Sequence, residues 1–467
     1  MFVCTPPLAR AREYPEWRFH TPSSKPETQR ALVLAALAPG RSHIRHDLRC
    51  TETMAMRHAI AEFGARSAEE HEVLVVDGVN LRQQAASVGI VDAAGSGLVA
   101  RLSIALALVK PGGLVVTGDD ILRRRAMSDL IEELNRLNSG RVRSLVAPNS
   151  LPVLVQGGAL AGGRYQLPGD VTSQFVTALL VAGPLAQAPI EINLTPPVLS
   201  SSYLRQTIAA MARAGVQVEY SSDFTTFRIA PAEYTSFTTT LAGDFTSASY
   251  FLATAALFVG KTRIANLQPE SLQGEAAMLR IVRELGVDVA FDEIGNELVV
   301  SNQLEVLAGN YEFDVSDCPN IVPTLAALGS FVEGRFAVSG ASIVRLHKSS
   351  RVEAMAHALR AVGVDITLRW RGDVIDGFEI RGRHTYPGGA VMSSVRDHRI
   401  FMALFVASLR MQQPNFIDGC EEVECSFPGF LDQFKANGAF ASIVETPTSL
   451  QSLQDPSGQI QGAVGAP

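Results

Sequence analysis

Six stretches of the chain are apolar almost all round at helical spacing: RALVLAALA, RLSIALALV, FVTALLVAG, YFLATAALF, VPTLAALGSF and IFMALFVASL. A helix without a polar face has to be covered on every side, so these six are predicted at the centres of cores. After each of the first five come a turn and a short strand: SHIRHDL, GLVVTGD, IEINLTP, TRIANLQ and RFAVSGA. A second, polar-faced helix follows and ends on a glycine, in AIAEFGA, ELNRLNSG, MARAGVQV, VRELGVDV and LRAVGVDI. These glycines are Gly64, Gly140, Gly215, Gly286 and Gly363, spaced 76, 75, 71 and 77 residues apart. Glycine just past a helix end adopts the left-handed conformation without a Cβ clash. Two alternating strands close the unit, for example VQVEY with TTFRIAP. The pattern is β-α-β-α-β-β, and about six copies fill the chain.

GDVTSQFVTALLVA begins at Gly169 and GDFTSASYFLATAA at Gly243, so two repeats share a junction. Equal numbers of copies on each side of the second junction predict an α/β protein of two pseudo-threefold domains. Residues 23–239 form an inserted domain of three repeats. Residues 1–22 and 240–440 form a discontinuous one, whose missing strand comes from the N-terminal arm. Residues 441–467 lack periodicity and are expected to be a mobile tail. The buried helices would aim their N-termini at the cleft between the domains, where backbone N–H groups favour anions.

Composition narrows the class. The chain has 467 residues, 47% hydrophobic and 19% charged, which is a globular profile too long for one core. A formal net charge of −7 lacks the basic stripe of a nucleic-acid binder, so a bound anion needs a local cluster of cations. The five cysteines, Cys4, Cys50, Cys318, Cys420 and Cys425, form no CxxC pair. That argues against a disulfide framework or zinc site and fits a cytoplasmic setting. No window approaches the roughly 18 apolar residues of a membrane span, and the N-terminus lacks a signal-like apolar core. No membrane partner is expected.

The polar residues that stand out lie just before the apolar helices: Ser24, Lys25, Thr28 and Arg30; Gly95, Ser96, Gly97 and Arg101; Thr172, Ser173 and Gln174; Asp397, His398 and Arg399. Further cations sit in strand-to-helix turns, from Arg123 to Arg125 and at Arg345, His347, Lys348 and Arg351. Taken singly, each is an ordinary cap or a solvated charge. Cations at helix starts oppose the dipole preference, however, so their recurrence calls for an anionic ligand.

The stretches SSKPETQRALVLAALAPG, GSGLVARLSIAL, GDDILRRRAM, GDVTSQFVTALL, SSSYLRQTIAAM, GDFTSASYFLATAA, DCPNIVPTLAAL, RDHRIFMALFVA and SFPGFLDQF carry a resemblance. Over roughly residues 20 to 440 the chain resembles the 3-phosphoshikimate 1-carboxyvinyltransferases, a family of enolpyruvyl transferases with an inside-out α/β barrel type of fold. The resemblance implies a transferase without a cofactor. Its partners would be phosphoenolpyruvate and a phosphorylated small-molecule acceptor, and two domains enclosing the cleft are compatible with a monomer. By motif position Lys25, Arg125, Arg351 and Arg399 look like the donor-binding cations. Thr172, Ser173, Gln174, Ser200, Tyr203 and Arg30 look like the acceptor site, with Ser24 and Gly97 beside them. His398 lies in the family's Asp-His-Arg signature.

The departures fall on the chemistry. Asn320 stands where the family has an aspartate, and an amide cannot take a proton. The family's Lys-Glu pair reads as His347-Lys348, or as Lys348 with its Glu deleted, and either alignment removes the carboxylate; a late lysine is replaced by Cys425. Asp317, His347 or His398 could replace the base, the histidines through a titration near neutral pH, and Lys348 could replace the missing cation. Four functions stay open at this point. They are the family reaction, transfer to another phosphorylated alcohol such as a nucleotide in natural-product biosynthesis, a donor-independent dehydratase or lyase on a shikimate-like ring, and a non-catalytic anion-binding relative.

Overall fold

The computed structural model describes residues 2–5, 16–292, 297–439 and 441–444. The six apolar runs form helices Lys25–Leu37, Gly97–Val109, Ser173–Ala182, Phe245–Leu257, Val322–Gly329 and His398–Ser408. Lys25–Leu37, Gly97–Val109 and Phe245–Leu257 begin a turn or more before the apolar run does, and His398–Ser408 begins two residues before it. In Gly97–Val109 every residue is buried, as an all-round apolar helix requires.

The described strands form six four-stranded sheets of one design. In the sheet containing Ser87–Asp92, that strand pairs in parallel with Gly112–Thr117 across the buried helix Gly97–Val109. Gly112–Thr117 then pairs antiparallel with Val153–Gln156, whose other edge holds Val142–Ser144. The five turn glycines have φ of 95°, 69°, 84°, 87° and 88°, the left-handed region that a Cβ disfavours.

Buried apolar side chains gather into two clusters. One runs from Ala31 to Leu241. The other joins Val3, Trp17 and Phe19 to residues from Phe245 to Ala439. Trp17–His20 adds to the second through parallel pairing with Gly260–Ala265, and Thr238–Thr240 returns to pair with Gly40–Arg45 in the first. The chain crosses between the cores twice, and the crossings are bonded to each other. Ser24 N donates to Ala242 O at 2.8 Å, and Asp244 N donates to Pro22 O at 2.9 Å.

Residues 442–444, read from sequence as the start of a mobile tail, are a strand against Phe2–Thr5, with Phe2 opposite Val444. Three residues are too few for periodicity to register. The rest of the tail, 445–467, lies outside the described residues. Among the described residues, no helix is long and apolar enough to cross a membrane.

Candidate active site

Polar side chains in the first helical turns create the site. Ser24, Ser96 and Thr172 cap their helices by accepting from Glu27 N, Val99 N and Gln174 N at 3.4, 3.4 and 3.3 Å. Asp397 accepts from Arg399 N at 2.9 Å. Each cap satisfies one end group and leaves other N–H donors of that turn facing outward. Five of the six buried helices begin at or beside one cavity, whose wall includes Lys25, Gly97, Ser173, Asn320 and Arg399. The fourth helix, capped by Asp244, does not reach it.

The cavity brings together Lys25, Arg30, Gly97, Arg125, Thr172, Ser173, Gln174, Ser200, Tyr203, Asn320, His347, Lys348, Arg351, His398 and Arg399. Two predicted residues are not on its wall. Ser24 is buried as the helix cap just described. Asp317 turns away: one oxygen accepts from Ser201 Oγ at 3.0 Å and Ser202 N at 2.6 Å, and the other pairs with Arg205. Its position three residues before Asn320 suggested a substitute base. The geometry makes it a tie between the helix Ser201–Arg213 and the loop of the other core.

The cations divide by whether the protein already neutralises them. Lys25 Nζ pairs with Glu52 at 2.9 Å, Arg351 Nε with Asp397 at 2.8 Å, and Lys348 Nζ with Glu422 at 2.7 Å. Lys348 thus reaches the cavity as half of an ion pair. Arg30 spends its guanidinium on Thr207 Oγ1 at 2.9 Å, Pro26 O at 3.0 Å and Tyr203 O at 3.1 Å, holding the Tyr203 helix in place. Arg125 and Arg399 differ: among the described residues neither guanidinium has a hydrogen bond or an ion pair, although both line the cavity. Burial pushes Arg125 below the ordinary arginine value. Two such guanidinia at the ends of helix dipoles make a strong demand for anionic charge. A hollow sharing Arg125, His347 and Lys348 adds Arg124, Arg345 and Arg396, so the approach is basic although the whole protein is acidic.

Neither histidine titrates near neutral pH. Burial, and then the charges of Arg351, Arg125 and Arg399, hold His347 well below the ordinary histidine value. Burial, and then Lys25, does the same to His398. This corrects the expectation of a base with a matched pKa: a neutral imidazole amid cations accepts a proton poorly. His347 Nδ1 instead accepts from Arg351 Nη1 at 3.0 Å. His398 Nδ1 lies 3.1 Å from Cys425 Sγ, whose thiol burial pushes up to about 12. The protonated thiol donates to Nδ1, which leaves Nε2–H, without a partner among the described residues, as a donor.

Sequence reasoning missed Glu52, Glu275 and Glu422, the carboxylates that touch Lys25, Tyr203 and Lys348. Glu275 is buried at the turn Gly274–Ala276 and accepts from the Tyr203 hydroxyl. Asn320 Nδ2 donates to Tyr203 Oη and to Glu275 Oε1, the latter at 3.2 Å, and Asn320 Oδ1 accepts from Arg351 Nη1 at 2.9 Å.

Gly97 opens the second buried helix, and a Cβ there would meet Arg101 Nη1 at 2.4 Å, Gln174 Oε1 at 2.9 Å and Arg125 Nη1 at 3.0 Å. All three are ends of flexible side chains, so Gly97→Ala keeps the fold and displaces the ligand-holding groups. The expected result is a fall of about ten- to a hundredfold in kcat/KM, mostly through KM, with an unchanged urea midpoint. Steady-state kinetics beside equilibrium unfolding check it.

The geometry defines a two-core α/β protein with an anion-gripping cavity at converging helix starts, and solved structures of that design exist. EPSP synthase from Acinetobacter baumannii superposes with a TM-score of 0.78 at 21% identity, covering 95% of this chain and all of that one. The enolpyruvyl transferase NikO from Streptomyces tendae gives 0.71 at 15% identity, over 96% and 99% of the two chains. At these identities the likeness shows the enolpyruvyl transferase fold. The sequence goes further: the pattern of EPSP synthase (3-phosphoshikimate 1-carboxyvinyltransferase) matches residues 18–434. The 3-phosphoshikimate 1-carboxyvinyltransferase of Halobacterium salinarum is 35% identical over 432 residues, 90% of this chain and 96% of the relative. That of Methanocaldococcus jannaschii is 32% identical, over 90% and 95%. The chain belongs to the EPSP synthase family.

Proposed function

We propose that this protein transfers the enolpyruvyl group of phosphoenolpyruvate to a hydroxyl of 3-phosphoshikimate, with release of phosphate. The observation that carries the reading is the pair of guanidinia with no hydrogen bond or ion pair among the described residues, Arg125 and Arg399, in a cavity that also holds Thr172, Ser173, Gln174 and Ser200. Phosphoenolpyruvate carries a carboxylate and a phosphate, and arginine offers each a bidentate fork. Lys25 and Arg351, already paired, keep further N–H donors for the same ligand. The hydroxyls and amide at the start of Ser173–Ala182 suit a sugar-like ring and its phosphate. As the phosphate departs, fixed cations stabilise its growing charge without reorganising. His398 Nε2–H adds a neutral donor.

Relatives of matching length named for this transfer support it over a donor-independent elimination or binding without chemistry. Lys348, paired with Glu422, is within electrostatic reach of Cys425, the position where the resemblance implies a lysine. The test is phosphate release measured with both substrates, with each alone, and with unphosphorylated shikimate. The reading expects release only with both, and a kcat/KM at least about a hundredfold lower without the acceptor phosphate. Release that ignores the acceptor phosphate would refute the acceptor assignment.

A further inference from the structure

The transfer proposed above needs the acceptor's hydroxyl to give up a proton as its oxygen attacks, and no side chain on the cavity wall is fitted to keep it. Asn320 is an amide, burial and then neighbouring cations make His347 and His398 poor proton acceptors, and Glu52 is bound to Lys25. One layer behind the wall lies Glu275. Its carboxylate is buried, and among the described residues no cation comes within ion-pair distance of it. Burying an unpaired carboxylate is costly, and such groups gather where chemistry uses them. Gly274 makes the placement possible: a Cβ there would meet Asp317 O at 2.1 Å and Ser202 Oγ at 2.7 Å.

The connection to the cavity is a short chain of hydrogen bonds. Tyr203 lines the cavity and donates its hydroxyl proton to Glu275 Oε1. Asn320 Nδ2 donates to the same phenol oxygen and so fixes one of its two lone pairs. The second lone pair is available to a ligand hydroxyl. An amide at position 320 fits this chain of bonds because it donates to Glu275, whereas an ionised aspartate would repel it.

We propose that the acceptor's hydroxyl proton leaves through Tyr203 to Glu275, which together replace the carboxylate lost at Asn320. The acceptor O–H bond breaks with its proton passing to Tyr203 Oη, while the phenol proton passes to Glu275 Oε1. The acceptor oxygen forms its bond to the enolpyruvyl carbon as the π pair of its double bond takes a proton from water at the methylene carbon. Return of that proton to water re-forms the double bond as the bond from carbon to phosphate oxygen breaks, the phosphate leaving with the electron pair. The proton returns by the same route to the departing phosphate, which leaves Tyr203 and Glu275 as they began. Tyr203 is the catalytic residue in this step, and Glu275 acts through it. The groups that face Glu275 fit: burial, with Asp244 at the start of Phe245–Leu257, pushes its carboxyl up, while Tyr203 and Arg399 hold it down. Cys318 and Asn320 close the remaining side, and burial keeps the Cys318 thiol protonated.

The inference rests on the transferase reading, and kinetics on the whole protein with phosphoenolpyruvate and 3-phosphoshikimate separate the two. Glu275→Gln and Tyr203→Phe are each expected to lower kcat by about a hundred- to a thousandfold. KM should move less than about threefold, and the acid limb of the kcat–pH profile, which lies above the ordinary glutamate value, should vanish in Glu275→Gln. The double variant Glu275→Gln, Asn320→Asp returns a carboxylate to the wall and should recover at least about tenfold of the loss with a new acid limb. A purely structural Glu275 would give no such recovery. Near-normal kcat in Glu275→Gln, a loss confined to KM, or no rescue in the double variant would overturn the relay alone. An unaltered protein that makes no product would overturn relay and reading together.

Discussion

Asp397→Asn lowers the stability of the fold by about 3–5 kcal/mol, the usual consequence of stripping one partner from a buried ion pair. Asp397 is fully buried and holds Arg351 at two points, Nε at 2.8 Å and Nη2 at 3.5 Å. It also accepts from Ser349 Oγ and Arg399 N, both at 2.9 Å. The variant leaves the Arg351 charge uncompensated and frees the guanidinium that steadies Asn320. Burial alone would push the Asp397 carboxyl up, but Arg351, His398 and the Arg399 backbone N–H together outweigh it and hold the group far below the usual aspartate range. The sign follows from a depressed folded pKa. The stabilisation is complete above the unfolded value of about 3.9 and is lost only as the pH falls below it. Urea midpoints should therefore separate the two proteins widely at pH 7 and at pH 5. The gap should narrow only below about pH 4. A gap that closes between pH 5 and 7 would mean that the pair is weak in the fold.

The second large effect is on rate. Lys25→Met should cut kcat/KM by about a hundred- to a thousandfold, since it deletes a cation from a preorganised site that meets the leaving phosphate. Lys25 sits at the first turn of its helix, and Glu52 at 2.9 Å is its only close carboxylate among the described residues. Glu52 is held below the ordinary glutamate value by Lys25 despite burial, so the single variant also leaves an unpaired carboxylate. The double variant Lys25→Met, Glu52→Gln separates the two consequences. It should regain most of the lost stability and none of the lost rate. Recovery of rate in the double variant would show that Lys25 acts only by neutralising Glu52.

The fold was legible because a buried helix and a left-handed glycine turn leave local marks, and six copies of one pattern reinforce each other. Helix starts were less so: in His398–Ser408, the polar pair His398 and Arg399 precedes the apolar run and belongs to the helix that displays it. The polar wall of the cavity was legible where residues cluster at those starts. What stayed hidden depends on pairing across the chain. Tyr203 and Glu275 are 72 positions apart, and Asn320 and Tyr203 are 117 apart. Nothing near Glu275 in sequence marks it, whereas Asp317 was conspicuous beside Asn320 and points elsewhere. The histidines misled for a related reason. Their intrinsic pKa lies near neutrality, and only the folded site supplies the burial and the surrounding guanidinia that remove it from that range.

The most direct test of the central claim is mass spectrometry of the product formed from 3-phosphoshikimate and phosphoenolpyruvate labelled in its carbon skeleton. The account predicts an adduct carrying all of the donor's labelled carbons, with one phosphate released for each adduct. Unchanged 3-phosphoshikimate, or a product that has lost water and carries no label, would contradict it.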